Sequence, residues 1–221
     1  MSQNIIEFLT VGGPVVWVLL VFSVIALTIV LLKIIQFWAV GAERKRSVNI
    51  ALQAWKNKNA KVAMQALSQK YLVDQLVFYC MQSIYTHKQD LTLIREEVER
   101  RAIEQLGLLK HYLRPLEVIA TLSPLLGLLG TVLGMITAFQ QMEAAGSQVD
   151  PSVLSGGIWQ ALLTTAVGLV VAIPALTLHN WLERKIERVT HLCNDAVTQV
   201  FTHPVIESAL LTSDKKELHA A

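Results

Sequence analysis

Two apolar segments of the chain, residues 118–139 and 158–179, each carry a threonine near the middle among small residues. In the first segment, the residues spaced three or four apart are Ser123, Gly127, Gly130, Thr131, Gly134 and Thr137. In the second they are Ala161, Thr165, Gly168, Ala172 and Ala175. This spacing puts each set on one side of a helix, and small faces let membrane helices pack closely. The pattern predicts a helix–helix interface or a narrow polar path lined by Thr131 and Thr165.

Neither segment contains an acid or a base between its ends, which limits the chemistry. A hydroxyl group can orient water but cannot hold a proton at physiological pH. A proton path along these helices therefore requires a carboxylate from a partner subunit, a membrane Asp or Glu. The alternative is that each threonine bonds its own helix backbone and fills a helix contact. The sequence leaves both interpretations open.

Other candidate groups are few. Glu117 lies at the edge of the second apolar segment, three residues after Arg114, where it could form an ion pair and interfacial anchor or act as a gate for ions. The six histidines are scattered without metal-ligand spacing, and no nucleophile elbow, phosphate loop or carboxylate pair is present. We expect no enzymatic activity, no cofactor and no metal, and we interpret Gly127 and Gly130 as packing residues.

The composition indicates a membrane protein. Of 221 residues, 53% are hydrophobic and 16% charged, against about 25% charged in a typical soluble domain. Residues 11–32, 118–139 and 158–179 are each long enough to cross a bilayer, which takes roughly 20 helical residues. The first is expected to be an uncleaved anchor, because residues 1–10 lack the basic residues of a signal peptide.

Charge asymmetry predicts the topology. Lys and Arg are absent from residues 1–32 and 140–157, whereas the basic residues are Lys33 and those within residues 39–114 and after residue 183. The positive-inside rule puts the N-terminus and the second loop in the periplasm and the basic segments in the cytoplasm. Four regions are predicted. Residues 1–38 are the periplasmic N-terminus and first membrane helix, and residues 39–114 are a cytoplasmic helical region. Residues 115–182 are the second and third membrane helices with a short periplasmic loop, and residues 183–221 are a cytoplasmic C-terminal helix and tail. The basic clusters flank the membrane, so nucleic acid is not an expected partner.

The predicted cytoplasmic part is helical. Apolar residues recur at helical spacing in residues 92–113 and 182–200, and residues 47–85 are expected to form two or three shorter helices with a turn at 57–59. We favour packing of these faces into one bundle over a recruitment surface. Cys80 and Cys193 fall in a reducing compartment and are predicted to be free thiols. The expected fold is an all-α membrane protein whose second and third membrane helices extend into a cytoplasmic helical bundle.

Residues 123–132 (SPLLGLLGTV) and 161–175 (ALLTTAVGLVVAIPA) resemble the two characteristic helices of the MotA/TolQ/ExbB proton-channel family, with the closest similarity to its ExbB branch. The resemblance implies a bacterial inner-membrane ring of five subunits around two copies of a single-span ExbD-like protein, which supplies the membrane Asp. It also implies that proton flow drives a TonB-like protein, which energises outer-membrane transport. The family's pore threonines correspond to Thr131 and Thr165, and its helix-bending prolines to Pro124 and Pro174. Gln160 stands where the family commonly has Glu, and a neutral amide lacks the charge for a proton relay.

Two alternatives share much of this sequence evidence. A TolQ-like subunit would use the same mechanism to maintain outer-membrane integrity. A non-conducting membrane scaffold would use its threonines for packing alone. A flagellar MotA-like stator fits less well, because that branch has four spans and this chain has three.

Overall fold

The computed structural model describes residues 13–40, 45–86, 91–145 and 151–203. Within these ranges the chain forms helices joined by turns, and no strand. The helices are α1 (Gly13–Val40), α2 (Lys45–Lys56), α3 (Ala60–Gln65), α4 (Leu72–Thr86), α5 (Leu91–Lys110), α6 (Leu113–Ala145) and α7 (Pro151–Thr202). The prediction of an all-α fold is confirmed.

Three stretches are long and apolar enough, by length and composition, to cross a membrane: Gly13–Trp38, Leu91–Ala144 and Leu154–Thr202. They contain the three segments predicted from the sequence, apart from residues 11 and 12, which lie outside the described residues. In each, 28% of the most apolar window is buried within the chain. Most of the apolar surface of these helices therefore faces away from this chain, as expected for helices surrounded by lipid or by other membrane chains.

The described residues fall into two compact units. The first, which we call the span unit, contains the described residues 13–34, 111–145 and 151–183. Val16 and Leu19 of α1, Leu116 of α6, and Ala172 and Ala175 of α7 are buried in it. Large residues of α1 and small residues of α7 thus contribute to the same core. Two helix backbones can approach closely only where both present small residues.

The second unit contains residues 35–110 and 184–203 among those described. Helix α2 is amphipathic and buries Val48, Leu52 and Trp55. A turn follows at residues 57–59, with Lys58 in the left-handed conformation at φ +59°. The expected turn is present, and the expected short helices of residues 47–85 are α2, α3 and α4. Arg101 of α5 stacks on the ring of Tyr79 of α4, with its guanidinium carbon 3.8 Å from the ring centre.

The second unit also contains the C-terminal part of α7. The predicted stripe is buried at every position, and all of it after Leu182 lies in this unit. Its residues are Leu182, Ile186, Val189, Cys193, Ala196 and Val200. At its end, the indole N–H of Trp55 donates a hydrogen bond to the carbonyl of Val200 over 3.3 Å. A helix would normally bond this carbonyl to the N–H four residues later, but that residue is Pro204, which has none. Trp55 therefore satisfies a carbonyl at the helix end that the sequence leaves without its usual donor.

One helix boundary differs from the expectation. The spacing predicted a single helix through residue 113, whereas α5 ends at Lys110 and α6 begins at Leu113. Tyr112 lies between them with φ +67°. If the helix continued, the ring of Pro115 would collide with the carbonyl of His111, four residues earlier. In the first turn of a new helix the same proline is tolerated, because N–H groups there have no helical partner.

Candidate functional site

In the span unit, α6 and α7 contact each other through small residues along most of their apolar length. We call this contact the small-residue seam. It is formed by Ser123, Gly127, Gly130, Gly134 and Ala138 of α6 and by Gly157, Ala161, Thr164, Thr165 and Gly168 of α7. Residues early in α6 contact residues late in this part of α7, and the reverse, so the two helices are antiparallel.

The glycines of the seam allow the backbones to approach. A Cβ atom added to Gly168 would lie 2.7 Å from the carbonyl oxygen of Ser123, and one added to Gly127 would lie 3.0 Å from the Cα of Thr165. At Gly134 the nearest atom would be the Cβ of Ala161, at 3.1 Å. The first two neighbours are backbone atoms, which cannot move aside without shifting a helix. The predicted packing glycines Gly127, Gly130, Gly134 and Gly168 all lie in this contact.

Threonine hydroxyls join the two helices at the middle of the seam. Thr165 Oγ1 donates a hydrogen bond to the carbonyl of Gly127 over 3.1 Å. Thr164 Oγ1 is 2.7 Å from the carbonyl of Ala161 in its own helix and 3.4 Å from the carbonyl of Gly127. Thr131 Oγ1 donates to the carbonyl of Leu128, 2.6 Å away in its own helix. The seam thus brings the hydroxyls of Thr164 and Thr165 near the Gly127 carbonyl, and Thr131 lies one helical turn further along α6.

Thr164, which the residue spacing did not single out, is the most buried of these threonines, at 2% exposure. A Cβ atom on Gly130 would lie 2.5 Å from Thr164 Oγ1, so this side chain fills the space above Gly130. Thr165 is half-buried at the edge of the contact. Thr137, which the spacing grouped with the small face, is exposed, and Ala138 occupies the contact instead. Its hydroxyl donates to the carbonyl of Leu133 in its own helix, over 2.9 Å.

Both prolines lie inside long helices, Pro124 in α6 and Pro174 in α7. Each removes one main-chain hydrogen bond from its helix. Next to Pro124, the buried hydroxyl of Ser123 donates to the carbonyl of Ile119 over 2.6 Å. A helix position without a main-chain donor and a buried hydroxyl therefore coincide where the seam begins in α6.

The two remaining candidates, Glu117 and Gln160, lie at the edges of the spans. The side chain of Glu117 is exposed near the start of α6, and its main-chain carbonyl accepts a hydrogen bond from Thr121 over 2.9 Å. Gln160 is half-buried in α7, and its Nε2 would lie 3.8 Å from a Cβ placed on Gly13, the first residue of α1. Gln160 therefore lies close to the beginning of the first membrane helix.

Two further polar groups of the span unit are buried. Lys33 in α1 is 2% exposed and His179 in α7 is 7% exposed. The Nδ1 of His179 lies 3.4 Å from Asn180 Oδ1. From the sequence, Lys33 served only as a marker of topology, and its position beside a long apolar segment was a signal for a buried cation.

The chemistry available at the seam is that of hydrogen bonding. Hydroxyls and main-chain carbonyls can orient water and donate to or accept from a polar group, but they do not ionise at physiological pH. Within the described ranges no group of three or more His, Cys, Asp or Glu residues comes together as a metal site. The seam can therefore orient or hydrogen-bond a polar group without itself taking up a proton.

The fold and the seam define a class of protein, the all-α membrane proteins with three candidate spans and a polar helix contact at mid-span. The family model described as the MotA/TolQ/ExbB proton channel family matches residues 54–195. The chain belongs to this family.

Proteins similar to this chain occur in several bacteria. The chain is 34% identical over 190 residues to "Biopolymer transport protein exbB1" of Vibrio cholerae, a match that covers 82% of each chain. It is 32% identical to "Putative biopolymer transport protein ExbB-like 3" of Synechocystis, over 76% of this chain and 80% of that one. A shorter match, 39% over 85 residues, is to "Biopolymer transport protein ExbB" of Salmonella typhimurium and covers 38% of this chain and 34% of the relative. Within the family, the similarity is closest to ExbB.

Proposed function

We propose that this chain is the ExbB-like subunit of a proton channel in the bacterial inner membrane. In this proposal it works with a single-span ExbD-like partner, which carries a membrane Asp, and uses the proton motive force to energise TonB-dependent transport across the outer membrane. The observation that carries the proposal is the small-residue seam, with Thr165 bonded to the Gly127 carbonyl and Thr131 one helical turn further along α6. Family membership and the ExbB names of its relatives support it.

The energetics indicate why hydroxyls would be needed. A charged Asp near the middle of a membrane costs roughly 2.5–3.5 kcal/mol on insertion scales. One proton that crosses about 100 mV releases only about 2.3 kcal/mol. An unassisted carboxylate would therefore stall the cycle. Hydrogen bonds from Thr131, Thr165 and the water they hold would lower this barrier, because bonds to a charged acceptor are stronger than neutral ones.

The proposal includes an orientation and an assembly. The N-terminus and the loop between α6 and α7 lie in the periplasm, and the second unit and the C-terminus lie in the cytoplasm, as the distribution of Lys and Arg predicts. Five copies form a ring in which Thr131 and Thr165 face the central partner helices. The exposed apolar side chains of the three candidate spans support contact with lipid and with neighbouring copies.

The non-conducting scaffold is the second candidate, and one observation favours it. The hydroxyls of Thr131 and Thr165 both donate to carbonyls of this chain, at Leu128 and Gly127. A scaffold would keep these bonds permanently. A channel subunit would exchange them for bonds to water and to the partner carboxylate during transport.

Deletion of the gene in the source bacterium tests the proposal. We expect the deletion strain to lose uptake of iron chelates through the outer membrane, and the tagged chain to co-purify a single-span protein with one membrane Asp. Normal uptake together with sensitivity to detergents would instead indicate the TolQ-like role. Normal uptake and no co-purified partner would support the scaffold.

A further inference from the structure

Helices α6 and α7 each expose an apolar face on the side of the helix that points away from the small-residue seam. On α6, Thr121, Leu125 and Leu128 follow one another at steps of four and three and are exposed. On α7, Val170 and Ile173 are 71% and 62% exposed. At 3.6 residues per turn, both sets lie roughly opposite to the seam residues of their own helix. The two exposed faces therefore point away from each other, on opposite sides of the helix pair.

The exposed face of α7 carries a main-chain carbonyl without its usual donor. Pro174 lies inside α7 and has no N–H, so the carbonyl of Val170, four residues earlier, loses its helical hydrogen bond. The side chains of Val170 and Pro174 are both exposed. The nearby hydroxyl of Thr177 donates to the carbonyl of Ile173, over 2.8 Å. Lipid offers no donor to such a carbonyl, so this part of α7 is expected to lie against protein or water.

Thr121 carries a hydroxyl at the same level, on the exposed face of α6. In the seam, Ser123 lies opposite Gly168, and antiparallel helices have the same rise, so Thr121 lies at the level of Val170. Its Oγ1 donates to the carbonyl of Glu117 over 2.9 Å. That carbonyl lies within a continuous helix and has the main-chain N–H of Thr121 as its usual donor. The hydroxyl can therefore turn to another acceptor without leaving the Glu117 carbonyl unsatisfied.

We propose that the exposed face of α7 packs against the exposed face of α6 in the next copy of this chain, and that Thr121 of the next copy donates to the Val170 carbonyl. This inference rests on the ring in the proposed function, whose copies are related by rotation about the membrane normal and keep each residue at one level. The bond is a net gain, because the hydroxyl leaves an acceptor that has another donor for one that has none. Apolar neighbours such as Leu125 and Ile173 fit a protein contact better than a water-filled cavity, which needs several polar partners.

Disulfide cross-linking tests the contact in membranes that contain the chain and its single-span partner. With Thr121→Cys and Val170→Cys in one chain, we expect an oxidant to link copies into a ladder of dimers and larger species. Val132→Cys with Val170→Cys is the matched control. Val132 is exposed on the same face of α6 but lies eleven residues, roughly 16 Å, further along, so this pair should not link. The unmodified chain, whose two thiols are buried, gives the background.

The failures of the inference and of the ring are distinguishable. If an amine-reactive reagent links the copies but the Thr121 and Val170 cysteines do not, the inference is overturned and the ring stands. If neither reagent links copies, the ring fails together with the inference. A ladder from Thr28→Cys with Val170→Cys would overturn the inference by assigning this face to the exposed side of α1 in the next copy.

A double-mutant cycle tests the hydrogen bond itself. Thr121→Val keeps the shape of the side chain and removes the hydroxyl, so it should lower the temperature at which the solubilised ring dissociates, whereas Thr121→Ser should restore most of the loss. Pro174→Ala returns a main-chain N–H to the Val170 carbonyl, so Thr121→Val should have little further effect in that background. Equal effects of Thr121→Val in both backgrounds would overturn the proposed bond. If the Pro174→Ala chain does not assemble, Pro174→Gly, which also restores the N–H, takes its place.

Discussion

The hydroxyl of Thr165 in α7 donates a hydrogen bond to the main-chain carbonyl of Gly127 in α6, across 3.1 Å. This bond links the two helices that carry the family's characteristic sequences, at a point where glycine lets the backbones approach. Thr165 is therefore both a candidate pore residue and a member of the helix–helix contact. Changes in packing and changes in hydroxyl chemistry therefore have to be separated by experiment.

The first prediction concerns the closest backbone approach in the seam. Gly168→Ala places a Cβ 2.7 Å from the carbonyl oxygen of Ser123, which cannot move without the helix. We expect it to lower the free energy of unfolding by about 1–3 kcal/mol, measured by thermal unfolding in detergent. Gly156→Ala is the matched control in the same helix, because its Cβ would meet nothing within 4 Å. Equal effects of the two substitutions would contradict the close contact.

The second prediction concerns the end of α7. Trp55→Phe removes the indole N–H and leaves the Val200 carbonyl without its donor, since Pro204 cannot supply one. The loss of a hydrogen bond at a buried group costs about 1–3 kcal/mol, so the second unit should unfold at a lower temperature. Trp38→Phe, at a side chain that is 86% exposed, is the control and should leave this transition unchanged.

The third prediction concerns orientation. A cysteine at Ser147 would test the periplasmic loop, but that residue lies outside the described residues. Ala144 in α6 is exposed, as is Asn57 in the turn after α2. We expect Ala144→Cys to react with an impermeant maleimide from the periplasm, and Asn57→Cys to react only after the membrane is opened. The reverse pattern would invert the topology.

The native thiols should not obscure this labelling. Cys80 and Cys193 are both buried free thiols. Burial raises the pKa of the Cys80 thiol to about 12, so the reactive thiolate is scarce at neutral pH. Unmodified protein should therefore label weakly on both sides of the membrane until it is unfolded. Strong labelling of the folded native chain would show that a thiol is accessible.

The fourth prediction concerns assembly. The exposed apolar side chains on the candidate spans and the small seam faces support a closed ring, which we expect to contain five copies. Native mass spectrometry of the complex in detergent should give five copies of this chain with two of the single-span partner. A monomer that retains transport activity would contradict the ring.

Much of the fold is predictable from the sequence because the patterns that indicate it extend over many residues of one helix. The apolar segments, the buried stripe that begins at Leu182 and the turn at residues 57–59 all depend on composition and spacing within one helix. Helix α5 ends at Lys110, slightly before the end at residue 113 that the spacing predicted, and Pro115 accounts for the break at Tyr112 through its clash with the carbonyl four residues earlier.

The seam shows what the sequence cannot decide. From Ala161 to Gly168, steps of three and four pass through either Thr164 or Thr165. Both paths have helical spacing, so the pattern alone cannot choose the buried hydroxyl. The same ambiguity follows Gly134, where the structure buries Ala138 and exposes Thr137. The rotation of each helix is set by its partner, through the fit of Thr164 against Gly130.

Gln160 provides the comparison for the central claim. It is half-buried near the start of α1, and its side chain is a neutral amide. Because an amide cannot relay a proton, we expect Gln160→Ala to reduce iron-chelate uptake only mildly. A complete loss of uptake in Gln160→Ala, at normal complex levels, would assign this side chain a role that the proposed path does not include.

Uptake of iron chelates by cells that carry both Thr131→Val and Thr165→Val tests the central claim most directly. Valine keeps the shape of threonine and removes the hydroxyl, so the chain should still assemble with its partner, as checked by co-purification. The account predicts normal levels of the complex and no TonB-dependent uptake, because the membrane carboxylate loses the hydrogen bonds that lower its barrier. Full uptake at normal complex levels would show instead that the two threonines only pack the helices.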